Sequence, residues 1–385
     1  MDTGWSDTLQ EGTLLPRACG VTRREVLASA IGTLAFPTTA LDFAIMPQVH
    51  LSPRRRRASR AIQVFLTGGP SHLDLWDPKP GLAETMRSSF LPIPTKLDGI
   101  RFTELLPRLA GINDRFALIR SMHCDDCGVF SHDAAMHQMI TGRVSQMSDH
   151  AGIITAIEGD FAKTRPQTTG SIDANGSNIL SATGDLRKHI VETEINAESP
   201  RTRNRYGNNV FGQELLVARR LVEKTPSVIR VHWPWRDSRH PNAWDGHDNL
   251  SIRLKHSGPI LDNALSSLLT DLDDRGLLDE TVVSVVGEFG RSPRRGVSTS
   301  GNLTRADGRD HWPHCFSAVL AGGGIGRGIV YGESDECGAY PARDPVSHAD
   351  LFATLQFVLR SIGSSTQSND SANAPTGRVV RGLLV

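Results

Sequence analysis

GPILDNALSSLLTDLDDRGLLDETVVSVVGE, residues 258–288, holds a helix, its stop, a strand and a carboxylate in one run. Ile260, Leu261, Ala264, Leu265, Leu268, Leu269 and Leu272 recur at helical spacing, which predicts a helix from Gly258 to Arg275 with Gly276 at its stop. Val282 to Val286 follows at once. It is apolar on both faces, as a strand buried inside a parallel sheet must be. Glu288 then falls at the end of that strand.

The same alternation extends outward. A helical pattern from Gln213 to Lys224 precedes the strand pattern Val228–Val231. Ile62 to Leu66 reads as a strand that stops at Gly68-Gly69-Pro70. Ala117–Ile119 and Phe316–Ala321 are further strands, and Asp350 to Leu359 is a last amphipathic helix. Gly322-Gly323-Gly324 reads as a turn, because no helical pattern opens behind it. Helix-then-strand order predicts an α/β domain with a mainly parallel sheet over residues 61–363. The polar, Gly- and Ser-broken segment at about 144–205 reads as an irregular insertion, and 364–385 as a C-terminal tail.

The 385 residues suffice for one large domain with a full core. There are 42 basic and 42 acidic residues, so the formal net charge is zero. That balance gives no electrostatic footprint for nucleic acid or for an anionic membrane. Five cysteines, an odd number, are too few for a disulfide scaffold. Cys124 and Cys127 have zinc-like spacing, but no second pair completes a site. A disulfide between them and two unpaired thiols are the competing expectations.

Arg23 and Arg24 stand just before an apolar stretch, Val26 to Phe36, and small residues follow. Residues 1–44 are therefore expected to be a twin-arginine-type signal, and 45–60 a basic linker. The apolar core is too short to span a bilayer, so no stable membrane insertion is expected. The expected location is periplasmic or extracellular.

In open α/β sheets ligands sit beyond the carboxyl ends of the strands. After the first strand comes Asp74, and after the second comes His123, then His132. After the third come Asp245 and His247, and after the fourth Glu288 and Arg291. Arg309, Asp310 and His311 precede the fifth. A single Asp or His in a loop is usually a cap or a solvated group. Acid–imidazole pairs from separate segments instead suit Zn, Mn or a similar divalent ion. One or two such ions are expected, and two about 4 Å apart would clamp an ester's oxygens.

These segments resemble one family. FLTGGPSHLDLWDPKPG, RYGNNVFGQELLVARRLVE, WDGHDN, GEFGRSP and GRDHWPHCFSAVLAGGG look like the family of domain of unknown function 1501, often described as sulfatase-like. The resemblance implies a three-layer alkaline phosphatase/sulfatase-like fold and an activity on phosphate or sulfate esters, carbohydrate-linked ones included. It implies metal ligands at Asp245, His247, Glu288, Asp310 and His311, with Asp74 added. Ser131 is the hydroxyl expected as nucleophile and His132 or His311 the general acid or base, with Arg291, Arg309 or Arg143 holding the anion. Thr141-Gly142-Arg143 is present, but nine residues before Thr141 stands His132, where sulfatases carry the Cys or Ser that becomes formylglycine. That argues against a formylglycine sulfatase. The alternative function is an exported binding or structural protein that keeps the fold without catalysis. The oligomeric state is open.

Overall fold

The computed structural model describes residues 58–124, 130–142, 169–172, 192–224, 226, 228–233, 244–359 and 377–385, all within the unit Ser52–Val385. The expected signal segment, most of the basic linker, Cys127 and Arg143 lie outside them.

Strands β1 (Arg60–Phe65), β2 (Pro92–Pro94), β3 (Arg101–Thr103) and β4 (Ala117–His123) come first, with helix α1 (Pro107–Ala110) before β4. Helix α2 (His132–Thr141), β5 (Thr169–Ile172), α3 (Pro200–Tyr206), α4 (Val210–Lys224), β6 (Val228–His232) and α5 (Leu250–Asp274) follow. Then come β7 (Thr281–Val286), β8 (Gly290–Arg291), β9 (His311–Trp312), β10 (Phe316–Ala321) and β11 (Val330–Tyr331). Last are β12 (Glu333–Ser334), β13 (Pro341–Arg343), β14 (Val346–Ser347) and α6 (His348–Leu359).

Among the described residues, eight strands form the central sheet in the order β11-β4-β10-β7-β1-β6-β5, with β14 also on β4. β1 pairs in parallel with β6 and β7, as do β5 with β6, and β11 and β14 with β4. β10 runs antiparallel to both β4 and β7. The connection from β7 to β10 holds the β8–β9 hairpin and no crossover helix, so β10 returns along its neighbour. The sheet is thus mainly parallel, with one reversed strand in its middle.

Alternation along each strand feeds two cores. Ile62, Val64 and Leu66 enter one, with Leu215 and Val222 of α4 and Leu261, Leu265 and Leu268 of α5. Ala61 and Phe65 enter the other, with Met139 and Ile140 of α2 and Leu351 and Leu355 of α6. Helices on both faces make three layers. Each fully buried leucine contributes roughly 1.5–3 kcal/mol.

α5 begins eight residues before the expected Gly258, and Pro259 lies inside it. Proline lacks the N–H that would bond the Lys255 carbonyl, so it reads as a start signal. Leu250 and Leu254 are buried and carry the helix back past it. The stop is as expected. Gly276 has φ +68°, and the Leu277 N–H donates to the Leu272 carbonyl at 2.8 Å. No helix among the described residues is long and apolar enough to cross a membrane.

Candidate metal centre

Parallel pairing puts the carboxyl ends of β1, β6 and β7 at one edge, and β4 ends there too because β10 is antiparallel to both β4 and β7. The reversal of β10 brings its amino end, with Asp310 and His311 before it, to the same edge. Two glycines let the loops meet. Gly68 has φ +113°, and a Cβ there would lie 2.8 Å from the Asp245 nitrogen. A Cβ on Gly308 would overlap the His247 carbonyl.

Asp245, His132, His247 and His311 converge at this edge. Asp245 Oδ1 is 3.0 Å from His247 Nε2, 3.3 Å from His311 Nε2 and 3.5 Å from His132 Nε2. His247 Nε2 and His311 Nε2 are 2.9 Å apart. Ligand atoms lie within 4.8 Å of one another in two groups, His132–Asp245–His311 and His247–Asp310–His311. His311 belongs to both.

Each imidazole is held from behind. His311 Nδ1 donates to the Phe130 carbonyl at 2.7 Å. A carbonyl only accepts, so the proton of a neutral His311 sits on Nδ1 and its Nε2 carries a lone pair. His247 Nδ1 faces Asp310 Oδ1 at 3.3 Å and Thr304 Oγ1 at 3.2 Å. His132 Nδ1 meets Glu288 Oε1 at 2.5 Å. The lone pairs of His247 and His311 therefore point at each other and at a carboxylate oxygen, an arrangement that a shared cation relieves. Bonds of about 2.0–2.2 Å in a tetrahedral zinc site place ligand atoms about 3.3–3.6 Å apart. The separations from Asp245 Oδ1 approach that range, so the donor set fits a divalent ion.

Asp310, a member of the second group, is also tied to its own loop. Its Oδ2 accepts from the Thr299 and Ser300 N–H groups at 2.6 and 2.9 Å. Its Oδ1 accepts from Ser300 Oγ at 2.6 Å and the His311 N–H at 2.8 Å. Arg291 is fully buried and pairs with Asp245 at 2.5 Å, while its other donors reach the carbonyls of Gly68, Gly69 and Arg309. Asp74 and Arg309 belong to neither group of ligand atoms. They pair with each other at 2.8 Å, with Ser71 Oγ also on Asp74, and Arg309 spends its remaining donors on the carbonyls of Met86, Ser292 and Pro293. The structure thus places Arg291 and Arg309, two of the three arginines expected to hold the anion, in buried, occupied positions, where their guanidiniums bind protein oxygens. Ser131 is exposed at the start of α2 and makes no side-chain cap bond.

Burial opposes ionisation of Asp245. The imidazoles of His132, His247 and His311 and the Arg291 guanidinium outweigh it and hold the carboxyl far below the usual range. Burial likewise lowers His132, but Asp245 and Glu288 push it up to about 9. His311 goes down, chiefly by burial. Asp310 is held down against burial by Ser300, Thr299 and His311 donors. These directions hold without a cation; a bound divalent ion would displace the His132 proton.

The Phe130 carbonyl and the Thr299–Ser300 turn escape sequence reading, because their backbone groups leave no residue-type signal. Cys124 is buried and free of a disulfide, which overturns a Cys124–Cys127 bridge. Cys337 is disulfide-bonded, to a partner outside the described residues.

Fold and site define a three-layer α/β protein with an imidazole–carboxylate centre at the carboxyl edge of its sheet. The chain belongs to the family described as protein of unknown function DUF1501, whose profile matches residues 58–169 and 177–364. No curated protein matches it. Among solved structures it is similar to the PsFucS1 sulfatase from Pseudoalteromonas, at 12% identity and TM-score 0.45 over 86% of this chain and 73% of that one. It is also similar to Ps i-CgsB, at 9% identity and TM-score 0.44 over 84% and 75%. A protein in the alkaline phosphatase superfamily from Vibrio parahaemolyticus gives 12% identity and TM-score 0.42 over 81% and 72%.

Proposed function

We propose that this chain is an exported, metal-dependent hydrolase of phosphate or sulfate esters with an alkaline phosphatase-like fold. One divalent ion, Zn or Mn, would be held by His132, Asp245, His247 and His311. The observation that carries this reading is the pair of Nε2 atoms 2.9 Å apart beside Asp245 Oδ1, each ring being held through its Nδ1. A single ion follows from His311. Its Nδ1 is committed to Phe130, so its one free nitrogen cannot serve both groups at once.

When bound, such an ion supplies Lewis acidity toward an ester oxygen and a nucleophilic water at neutral pH. The chain's own residues fix the geometry. Asp245 gives the centre its negative charge and shares it with Arg291, which thereby ties the Gly68–Gly69 turn to the site. Asp310 and Phe130 set the directions of His247 and His311. Ser131 offers an exposed hydroxyl that makes no cap bond, one residue from His132, and water is the alternative nucleophile. In hydrolysis an oxygen–phosphorus or oxygen–sulfur bond forms, the bond to the alcohol oxygen breaks, and the alcohol leaves with a proton. His132 stands where the formylglycine-forming residue would stand, which argues against that cofactor.

A second reading is a metal-holding binding protein without catalysis. It is favoured by the full engagement of Arg291 and Arg309, which leaves neither guanidinium for a substrate anion. Screening phosphate and sulfate esters, carbohydrate-linked ones included, with the metal-loaded protein separates the two. Hydrolysis that disappears in His247→Ala supports the enzyme. A metal-loaded wild type that cleaves none of them supports the binding protein. Absence of the protein from both the periplasm and the medium would refute export.

A further inference from the structure

Glu288 lies behind the centre rather than in it. It follows the wholly buried strand β7, and its side chain is 0% exposed. No oxygen of Glu288 joins either group of candidate ligand atoms. Its Oε1 instead accepts from His132 Nδ1 at 2.5 Å and from the Gly68 N–H at 2.8 Å. Two loops of the site, after β1 and after β4, are therefore tied to one carboxylate at the end of β7.

The consequence falls on His132. A carboxylate presents only acceptors, so Nδ1 must bring the hydrogen, and Nε2 is left facing Asp245 Oδ1 at 3.5 Å. The backbone at the start of α2 is not fixed by a side-chain cap, because Ser131 makes none. Neighbouring rings, Phe289 at 5.0 Å and His311 at 4.5 Å between centroids, limit the tilt of the His132 ring but do not choose which nitrogen faces the centre. Glu288 makes that choice.

We infer that Glu288 is a positioning residue of the metal centre and not a ligand: it locks His132 with Nε2 turned inward. This rests on the metal-centre reading above. Outer carboxylates of this kind are worth about 10–100-fold in metal affinity. Glu288→Gln keeps a side-chain oxygen that can accept from Nδ1 and Gly68, whereas Glu288→Ala removes it.

The test is titration of the metal-free full chain with Co(II), followed by calorimetry and visible absorption, for wild type, Glu288→Gln, Glu288→Ala, His132→Ala and the His132→Ala/Glu288→Ala double variant. Thermal unfolding of each metal-free protein checks the fold. The expected order is wild type, then Glu288→Gln, then Glu288→Ala weaker by about 10–100-fold. Glu288→Ala should add nothing once His132 is gone, as partners acting through one another do. Full additivity in the double variant overturns the inference, as does a Glu288→Ala affinity equal to wild type. A wild type that binds no Co(II) overturns the metal-centre reading and this one with it. Co(II) bound by wild type and by Glu288→Ala alike overturns only this one.

Discussion

Asp310→Asn should destabilise the chain and loosen its centre, because Asp310 ties the 299–300 turn to His311. Its two carboxylate oxygens receive four donors: the Thr299 and Ser300 N–H groups on Oδ2, and Ser300 Oγ and the His311 N–H on Oδ1. An asparagine amide puts a donor where one of those oxygens was, so whichever way it turns, an amide N–H faces two former donors. A hydrogen bond to a charged group is worth about 1.5–3 kcal/mol, and two are lost. Thr299 and Ser300 are half-buried and can recover part of this by turning toward water, so a loss of about 3 kcal/mol is expected. Thr304, from the same loop, and Asp310 both face His247 Nδ1, so metal affinity should fall by about tenfold or more. Urea unfolding at pH 7 and Co(II) titration measure both effects. The Asp310 carboxyl is held below its ordinary 3.8, so its contribution is present above that pH and lost as pH falls through the folded-state value. The gap between wild type and variant should accordingly close in acid. A stability change under about 1 kcal/mol together with unchanged Co(II) affinity would refute the anchoring argument.

Gly68→Ala should weaken Co(II) binding about tenfold or more, since its φ is +113° and its Cβ would press on the Asp245 nitrogen; Gly81→Ala, with nothing within 4 Å, is the control and should bind as wild type. Arg219 is fully buried among Glu198, Glu223 and Asp271, at 2.5, 2.6 and 2.9 Å, so Arg219→Ala should cost about 3–5 kcal/mol in urea unfolding by stranding carboxylates. Burial takes His348 down to about 3. The unfolded chain therefore binds its proton first, and stability falls as pH drops below 6.5, by about 2 kcal/mol at pH 5. Comparing urea unfolding of wild type and His348→Gln at pH 7 and pH 5 isolates that share, and equal losses in both proteins would contradict it.

Much of the fold is legible because burial leaves a pattern. Val282–Val286 is apolar on both faces and proves to be a central strand; the leucines of α5 keep helical spacing and prove to face one core. The direction of β10 is not legible, because a run such as Phe316–Ala321 is equally apolar in either direction. α2 is missed for a different reason: His132–Thr141 is only weakly amphipathic, so it carries little periodic signal. The strand-end rule brings Asp245, His247, Glu288, Asp310 and His311 to one edge, because it follows from topology alone. It cannot rank them. Asp310 and His311 are adjacent, yet one takes four donors from its surroundings and the other turns Nε2 to the centre. Arg291 and Arg309 look like anion-binding residues by type, and only their distant partners, Asp245 and Asp74, show that their charges are already matched.

Metal content decides whether Asp245 and His311 belong to a working metal centre. The full chain would be purified, stripped, reloaded with Zn or Mn, freed of excess metal and analysed beside an Asp245→Ala/His311→Ala variant. One divalent ion per wild-type chain and none in the variant is the expected result. No metal in either protein after reloading, or equal metal in both, would contradict it.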